Sequence, residues 1–139
     1  MDNVSIVVED LAAAVAFFVE LGMELEGQMT VEDQWADRVV GVDGVRVDIA
    51  MVRTPDGHSK LELTKFHNPP VDPTPTAAVN TLGIRRIMFA VDDLDDVLSR
   101  LSAHGAELVD EVAQFENIFR LCYVRGPEGI LLGLAEALG

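Results

Sequence analysis

Alternating apolar and polar residues predict strands along most of the chain, and two stretches have helical periodicity instead. In the first half, apolar residues recur at helical spacing from Leu11 to Leu21. Asp10 precedes this stretch as an N-cap, and Gly22 follows it in the left-handed position that ends many helices. Around this helix, period-two alternation predicts strands at 3–8, 23–31, 45–53 and 61–66, and a short strand or strand end at 39–42.

The same order of elements returns in the second half of the chain. The segment 67–81 contains four prolines and predicts an extended linker between the two halves. The elements predicted after it are a strand at 84–91, a helix at 94–104 that ends at Gly105, and strands at 107–112, 119–124 and 130–135.

Short sequence matches support an internal repeat. Residues 8–11 (VEDL) match 91–94 (VDDL), and residues 52–57 (VRTPDG) match 124–129 (VRGPEG). A repeat at this scale points to two copies of one supersecondary unit. The sequence therefore predicts an α+β fold of two tandem βαβββ modules, 1–66 and 82–139, joined by the proline-rich linker 67–81 into one compact domain.

Composition and charge exclude several classes of function. The 139 residues include 24 Asp and Glu against 10 Lys and Arg, a formal net charge of −14, which disfavours nucleic acid as a partner. This acidity serves either solubility or the attraction of a cationic small molecule. No apolar run approaches membrane-span length, and Cys122 is the only cysteine, so we expect a soluble, cytoplasmic protein without an intrachain disulfide or membrane partner.

Four motifs, in this order and partly duplicated, give the chain a resemblance to a known superfamily. They are residues 4–11 (VSIVVEDL), 61–63 (LEL), 89–94 (FAVDDL) and 126–130 (GPEGI). With them the chain resembles the vicinal oxygen chelate superfamily, which includes glyoxalase I, extradiol dioxygenases and bleomycin-type resistance proteins. The resemblance implies that the two βαβββ modules curl their sheets into a cup, usually within a homodimer. It implies much less about the reaction, because one fold hosts many functions.

The metal enzymes of this superfamily hold a divalent ion with His and Glu ligands from the first and last strands of each module. The motifs carry these four places onto Asn3, Glu62, Arg86 and Gly133. Only Glu62 is a family ligand, since an arginine remains cationic and a glycine has no side chain. The sequence therefore predicts no metal, no cofactor and no catalytic residue.

A small-molecule site needs a mostly apolar lining with a few placed polar groups. Strand alternation around Glu62 and Arg86 predicts such a lining for the cup. Aromatic side chains would close the mouth of the cup. The candidate ligand-binding residues are Trp35, Asp48, Glu62, Phe66, Arg86, Met88, Phe115, Phe119, Arg120 and Cys122.

Several of these residues also fit purely structural roles. Glu62 and Arg86 could form an ion pair that fills the vacated metal place, or contact the ligand directly. Trp35 could pack in the core, lie in a dimer contact, or stack on a planar ligand. Cys122 also fits a small buried apolar residue.

The sequence favours a metal-independent binding protein that sequesters a hydrophobic or aromatic natural product or drug, a resistance-type role. The expected partners are an aromatic or polycyclic small molecule and a second copy of the chain. The alternatives are a glyoxalase-like lyase or isomerase, or a dioxygenase-like enzyme, which would need a divalent metal or Glu62 as a base. A third reading is a partner-binding domain without pocket chemistry.

Overall fold

The computed structural model describes residues 1–74 and 76–139 and divides into two compact units, Met1–Thr74 and the remainder of the chain to Gly139. Each unit has a sheet with an α-helix packed against it, which confirms the α+β class. None of the described helices has the length and apolar character needed to cross a membrane.

The first unit contains four strands and two helices. Its sheet has the order β1-β4-β3-β2, in which β1 runs parallel to β4 and the other pairs are antiparallel. The elements are β1 (Val4–Val7), α1 (Leu11–Leu21), β2 (Glu24–Val31), α2 (Gln34–Val40), β3 (Arg46–Arg53) and β4 (Lys60–Asn68).

Helix α1 begins and ends where the sequence predicts. The Asp10 carboxylate accepts a hydrogen bond from the backbone N–H of Ala13 at 3.0 Å, and Gly22 ends the helix with φ 125°. The buried side of α1, formed by Ala14, Phe17, Phe18 and Leu21, packs against the sheet.

Two details of the first unit differ from the prediction. The short strand expected at 39–42 is wrong, because Val39 and Val40 lie in helix α2. Asp37 of this helix accepts hydrogen bonds from the backbone N–H groups of Gly44 and Val45, which ties the helix to the start of β3. Strand β4 continues to Asn68, two residues into the segment predicted as linker.

The second unit repeats the strand order of the first. Its sheet has the order β5-β9-β8-β6, with β5 parallel to β9, and β7 pairs with β8 as well. Of the strand predicted at 107–112, only Glu107 and Leu108 form a strand, and a further short strand begins beyond it at Ala113. The elements are β5 (Arg86–Ala90), α3 (Leu94–Ser102), β6 (Glu107–Leu108), β7 (Ala113–Phe115), β8 (Phe119–Arg125), a 3-10 turn (Pro127–Gly129) and β9 (Leu131–Ala137).

Candidate functional site

Strand register shows which residues share a sheet face with Glu62 in the first unit. Side chains of directly paired residues point to the same face of a sheet. Glu62 pairs with Ser5 on β1 and Met51 on β3, while Ile49 pairs with Thr64. The surface opposite α1, here called the Glu62 face, is formed by Ser5, Val7, Val47, Ile49, Met51, Lys60, Glu62, Thr64 and Phe66.

This face combines apolar side chains with a few polar groups. Glu62 and Phe66 are half-buried on it. The hydroxyl of Thr64 is buried and has no hydrogen-bond partner among the described residues. A buried hydroxyl without a partner is costly, so Thr64 adds a polar atom that a ligand could satisfy.

The prediction that Asp48 shares the lining with Glu62 is wrong. Asp48 pairs with Lys65, on the opposite face of the sheet from Glu62. There its carboxylate accepts a hydrogen bond from the Thr30 hydroxyl at 2.7 Å and lies 2.7 Å from Nε2 of His67. The three side chains connect β2, β3 and β4, so the arrangement joins neighbouring strands on the face that carries α1.

The Asp48 contacts predict an acid-dependent contribution to stability. The Thr30 hydrogen bond, and then the His67 contact, lower the pKa of Asp48 below its ordinary value. A carboxylate with a depressed folded-state pKa stabilises the fold above its unfolded pKa of about 3.9, and this stabilisation is lost as the pH falls through the folded value. We expect Asp48→Asn to destabilise the protein in urea unfolding at neutral pH, and the difference from wild type to shrink below about pH 4.

The exposed Asp72 provides the control for this titration. Asp72→Asn should leave the free energy of unfolding close to wild type throughout the same pH series. A difference between wild type and Asp48→Asn that is constant from neutral to acidic pH would show that Asp48 does not act through its charge.

In the second unit, the surface opposite α3 contains Arg86 and Met88. Arg86 pairs with Leu131, Met88 pairs with Gly133, and Gly133 in turn pairs with Tyr123 of β8. We call this surface the Arg86 face. It is formed by Arg86, Met88 and Ala90 on β5, by Leu131, Gly133, Ala135 and Ala137 on β9, by Phe119, Leu121, Tyr123 and Arg125 on β8, by Ala113 and Phe115 on β7, and by Glu107 on β6.

The Arg86 guanidinium lies over the Tyr123 ring, with its carbon 4.8 Å from the ring centroid. The predicted pair of Arg86 with Glu62 would join the two units and stays a prediction. Beside the ring, Gly133 leaves room for Met88, because a Cβ atom at Gly133 would lie 2.7 Å from the Met88 sulfur. The superfamily resemblance assigns two metal-ligand places to this unit. One therefore holds the Arg86 guanidinium, which lies over a tyrosine ring, and the other holds Gly133, which has no side chain.

Aromatic residues occupy the other end of the Arg86 face. Phe115 and Phe119 stack with their ring centroids 5.5 Å apart and an angle of 28° between the rings. Phe115 is 52% exposed and Met88 is 46% exposed, so this face presents apolar surface. The sequence prediction missed Tyr123 and Leu121, although the signal was available: both lie at even spacing from Phe119 on the same strand.

The predicted positions of Arg120 and Cys122 on this lining are wrong. They pair with Glu136 and Leu134, on the face that carries α3. Arg120 binds Asp95 of α3 at 3.0 Å and Glu136 at 3.4 Å, and its hydrogen bond lowers the pKa of Asp95. Cys122 is buried in the core, where burial raises the pKa of its thiol and so disfavours the reactive thiolate.

Trp35 lies outside the strands that form the two faces. It lies on α2 and is 57% exposed, so the reading in which it packs in the core is wrong. Its indole N–H is 3.3 Å from the Asp33 carboxylate, two residues earlier. The exposed Trp35 side chain is compatible with a dimer contact and with a stacking surface for a ligand, and both roles stay predictions.

The residues at the four superfamily metal places do not fit a divalent ion. In the first unit, the Asn3 amide donates to the neighbouring Asp2 carboxylate at 2.8 Å, and Glu62 is the only ionisable oxygen donor of the four. In the second unit, Arg86 and Gly133 provide no donor. Across residues 1–74 and 76–139, no three His, Cys, Asp or Glu side chains are grouped so that they could hold a metal.

Comparison with known proteins identifies the family. The sequence pattern of the Glyoxalase/Bleomycin resistance protein/Dioxygenase superfamily matches residues 2–123. The chain belongs to this superfamily. This membership confirms the resemblance inferred from the four motifs, and the superfamily includes both metal-dependent enzymes and resistance proteins.

Individual relatives extend over almost the whole chain. The crystal structure of a glyoxalase family protein from Bacillus cereus is 58% identical and has a TM-score of 0.97, covering 100% of this chain and 94% of that one. YaeR, an uncharacterized protein of Escherichia coli K12, is 28% identical over 96% of this chain and 93% of its own length. FosX, a fosfomycin resistance protein from Listeria monocytogenes crystallised with Mn(II) and a dihydroxypropylphosphonic acid, shares the fold at 14% identity and a TM-score of 0.64, covering 99% of this chain and 89% of that one.

Proposed function

We propose that this protein binds and sequesters a hydrophobic or aromatic small molecule without a catalytic metal. The observation that carries this proposal is the composition of the Arg86 face. Two superfamily metal places on that face hold Arg86 and Gly133, while the remaining side chains are mostly apolar or aromatic. A mostly apolar surface with a few placed polar groups is typical of small-molecule sites.

The lining supports capture of a planar molecule better than chemistry on it. The Phe115–Phe119 pair offers ring faces on which an aromatic ligand could stack, and Met88 has a flexible side chain that adapts to ligand shape. Neither Phe115, Phe119 nor Met88 can transfer a proton or act as a nucleophile. Glu62 and Phe66 of the first unit stay proposed ligand contacts.

A resistance-type role is the physiological form of this proposal. FosX shows that proteins of this fold can confer resistance to an antibiotic, although its structure contains Mn(II). A protein that only sequesters its ligand needs no metal, because binding alone lowers the free concentration of a toxic compound. We also propose a homodimer, which the resemblance to the superfamily implies, and a cytoplasmic location, which fits the single cysteine.

The direct test is a binding screen combined with product analysis. The neutral fluorophore N-phenyl-1-naphthylamine would serve as the reporter, and aromatic natural products and antibiotics would compete for its site. Any compound that displaces the reporter would then be incubated with the protein and recovered for mass spectrometry. Recovery of the compound unchanged supports sequestration, whereas its conversion at catalytic protein concentrations would overturn the proposal in favour of an enzyme.

Metal content provides an independent prediction. We expect the purified protein to carry far less than one Zn, Ni, Fe or Mn ion per chain, because three of the four superfamily ligand places have no suitable donor. Removal of a tightly bound metal from its native site would lower the melting temperature. Because we expect no such metal here, a chelator should leave Tm unchanged. The measurements are elemental analysis and a thermal melt with and without EDTA. One tightly held ion per chain with a lower Tm after chelation would contradict this prediction.

A further inference from the structure

We propose that Arg86 binds an oxyanion of the ligand, so that the sequestered molecule is an apolar or aromatic compound with a carboxylate, sulfonate or similar group. This inference rests on the proposed function and specifies its ligand class. It follows from four features of the second unit: the contacts of Arg86, the contacts of Arg125 and Arg120, the scarcity of carboxylates near Arg86, and the distribution of apolar groups along the Arg86 face.

Arg86 is held in place without an oxygen acceptor. Its guanidinium is exposed at the start of β5 and lies 4.8 Å from the Tyr123 ring centroid. It makes no hydrogen bond or ion pair with a residue of the described chain, although the protein has 24 acidic residues. A cation–π contact positions a guanidinium while its N–H groups stay available for a planar, two-oxygen acceptor such as a carboxylate.

Two other arginines of this unit, Arg125 and Arg120, are occupied. Arg125 lies in the same row of the sheet, since Arg86 and Arg125 both pair with Leu131, but it donates to the carbonyls of Gly129 and Ala77 at 3.1 and 2.8 Å. Arg120 binds two carboxylates on the opposite face. Of the two arginines in this row, Arg86 is therefore the one whose N–H groups remain available to a ligand.

Carboxylates are sparse on this face. Glu107 pairs with Arg125 and lies beyond it, so Arg125 stands between this acid and Arg86 in the strand order. The row of paired residues that begins with Arg86 thus contains two guanidinium groups, of Arg86 and Arg125, and one exposed carboxylate, of Glu107. Although the overall charge of −14 on its own favours a cationic ligand, the local arrangement favours an anion.

The face also separates its charged end from its aromatic end. Phe119 lies four residues from Tyr123 along β8, which corresponds to about 13 Å in an extended strand. Small residues, Ala90, Gly133 and Ala135, lie between these two ends. An amphipathic ligand fits this order, with its oxyanion at Arg86 and its apolar part towards Phe119.

A matched pair of fluorescent probes tests the inference. 8-Anilinonaphthalene-1-sulfonate carries a sulfonate on the same ring system as the uncharged N-phenyl-1-naphthylamine. We expect Arg86→Met to weaken binding of the sulfonate about tenfold or more, because a charge-assisted contact is lost, and to change binding of the neutral probe less than about twofold. Arg86→Gln, a second neutral variant with a polar side chain, should give the same difference between the probes.

Arg100→Met is the control for overall charge. It removes the same positive charge from a partly exposed position on α3, where Arg100 pairs with Asp96, and should change neither affinity by more than about twofold. Circular dichroism would confirm that each variant is folded.

The outcomes separate this inference from the proposed function. If both probes bind the wild type and the Arg86 variants weaken neither, or weaken both equally, the oxyanion role is overturned while ligand binding stands. An equal loss of sulfonate binding in Arg100→Met would overturn it as well, because overall charge would then explain the effect. If neither probe binds the wild type, both the inference and the proposed function fail.

Discussion

Replacing Phe18 by alanine is expected to lower the free energy of unfolding by about 3–5 kcal/mol, the largest loss expected from a single substitution considered for this chain. Phe18 is fully buried on α1 and meets Phe17 edge to face, with ring centroids 5.3 Å apart. The substitution removes the buried ring, leaves a cavity, and loosens the contact of α1 with β3 and β4. Urea unfolding monitored by circular dichroism would measure the change.

Val19 on the same helix provides a matched control. It follows Phe18 in sequence and is 44% exposed, so Val19→Ala removes an apolar side chain that fills no cavity. Its effect should stay below about 1 kcal/mol. Similar losses for Phe18→Ala and Val19→Ala would show that the core does not lie under α1 as described.

Replacing Phe119 by alanine is expected to weaken binding of a planar ligand about tenfold or more, which corresponds to about 1.4 kcal/mol. The Phe119 ring stacks on Phe115, and both lie on the Arg86 face with Leu121 and Ala137. Truncation removes a ring face and leaves Phe115 without its partner. Titration with N-phenyl-1-naphthylamine, or with a ligand found in the screen, would measure the loss.

Two further variants separate the causes of this effect. Phe119→Leu keeps much of the apolar surface but removes the ring, so it should recover part of the affinity if buried area matters and little if stacking dominates. Leu82→Ala removes an almost fully exposed apolar side chain outside the strands and should leave binding unchanged. Unchanged affinity in Phe119→Ala would exclude this end of the face from the site.

The predicted elements were accurate where local signals agree. Helix α1 has its predicted bounds because the Asp10 cap, the apolar periodicity and Gly22 all act within one segment. The strand predicted at 39–42 failed because β-branched residues favour strands only weakly. There Val39 and Val40 continue the helix that Asp37 connects to the next strand.

The sheet faces of the candidate residues were predicted less accurately than the elements. Glu62 and Phe66 share one sheet face, and Arg86, Met88, Phe115 and Phe119 share another, as strand alternation indicates. The errors at Asp48, Arg120 and Cys122 have one physical cause: a central strand of a sheet can carry apolar residues on both faces. On β3, for example, Val47 and Ala50 are both buried although they point to opposite faces. Alternation divides such a strand into two sets of residues without showing which set faces the helix.

The sequence by itself determined the features that are encoded locally or by matching motifs: the α+β class, the internal repeat, the superfamily, and the lack of a His or Glu ligand at three of the four superfamily metal places. Tertiary structure decided which side chains meet. Arg86 lies over Tyr123, Met88 lies beside Gly133, and Asp48 joins Thr30 and His67 because strand register brings these residues together. A shift of one residue in register would move every side chain of a strand to the other face, and register depends on packing between segments distant in sequence.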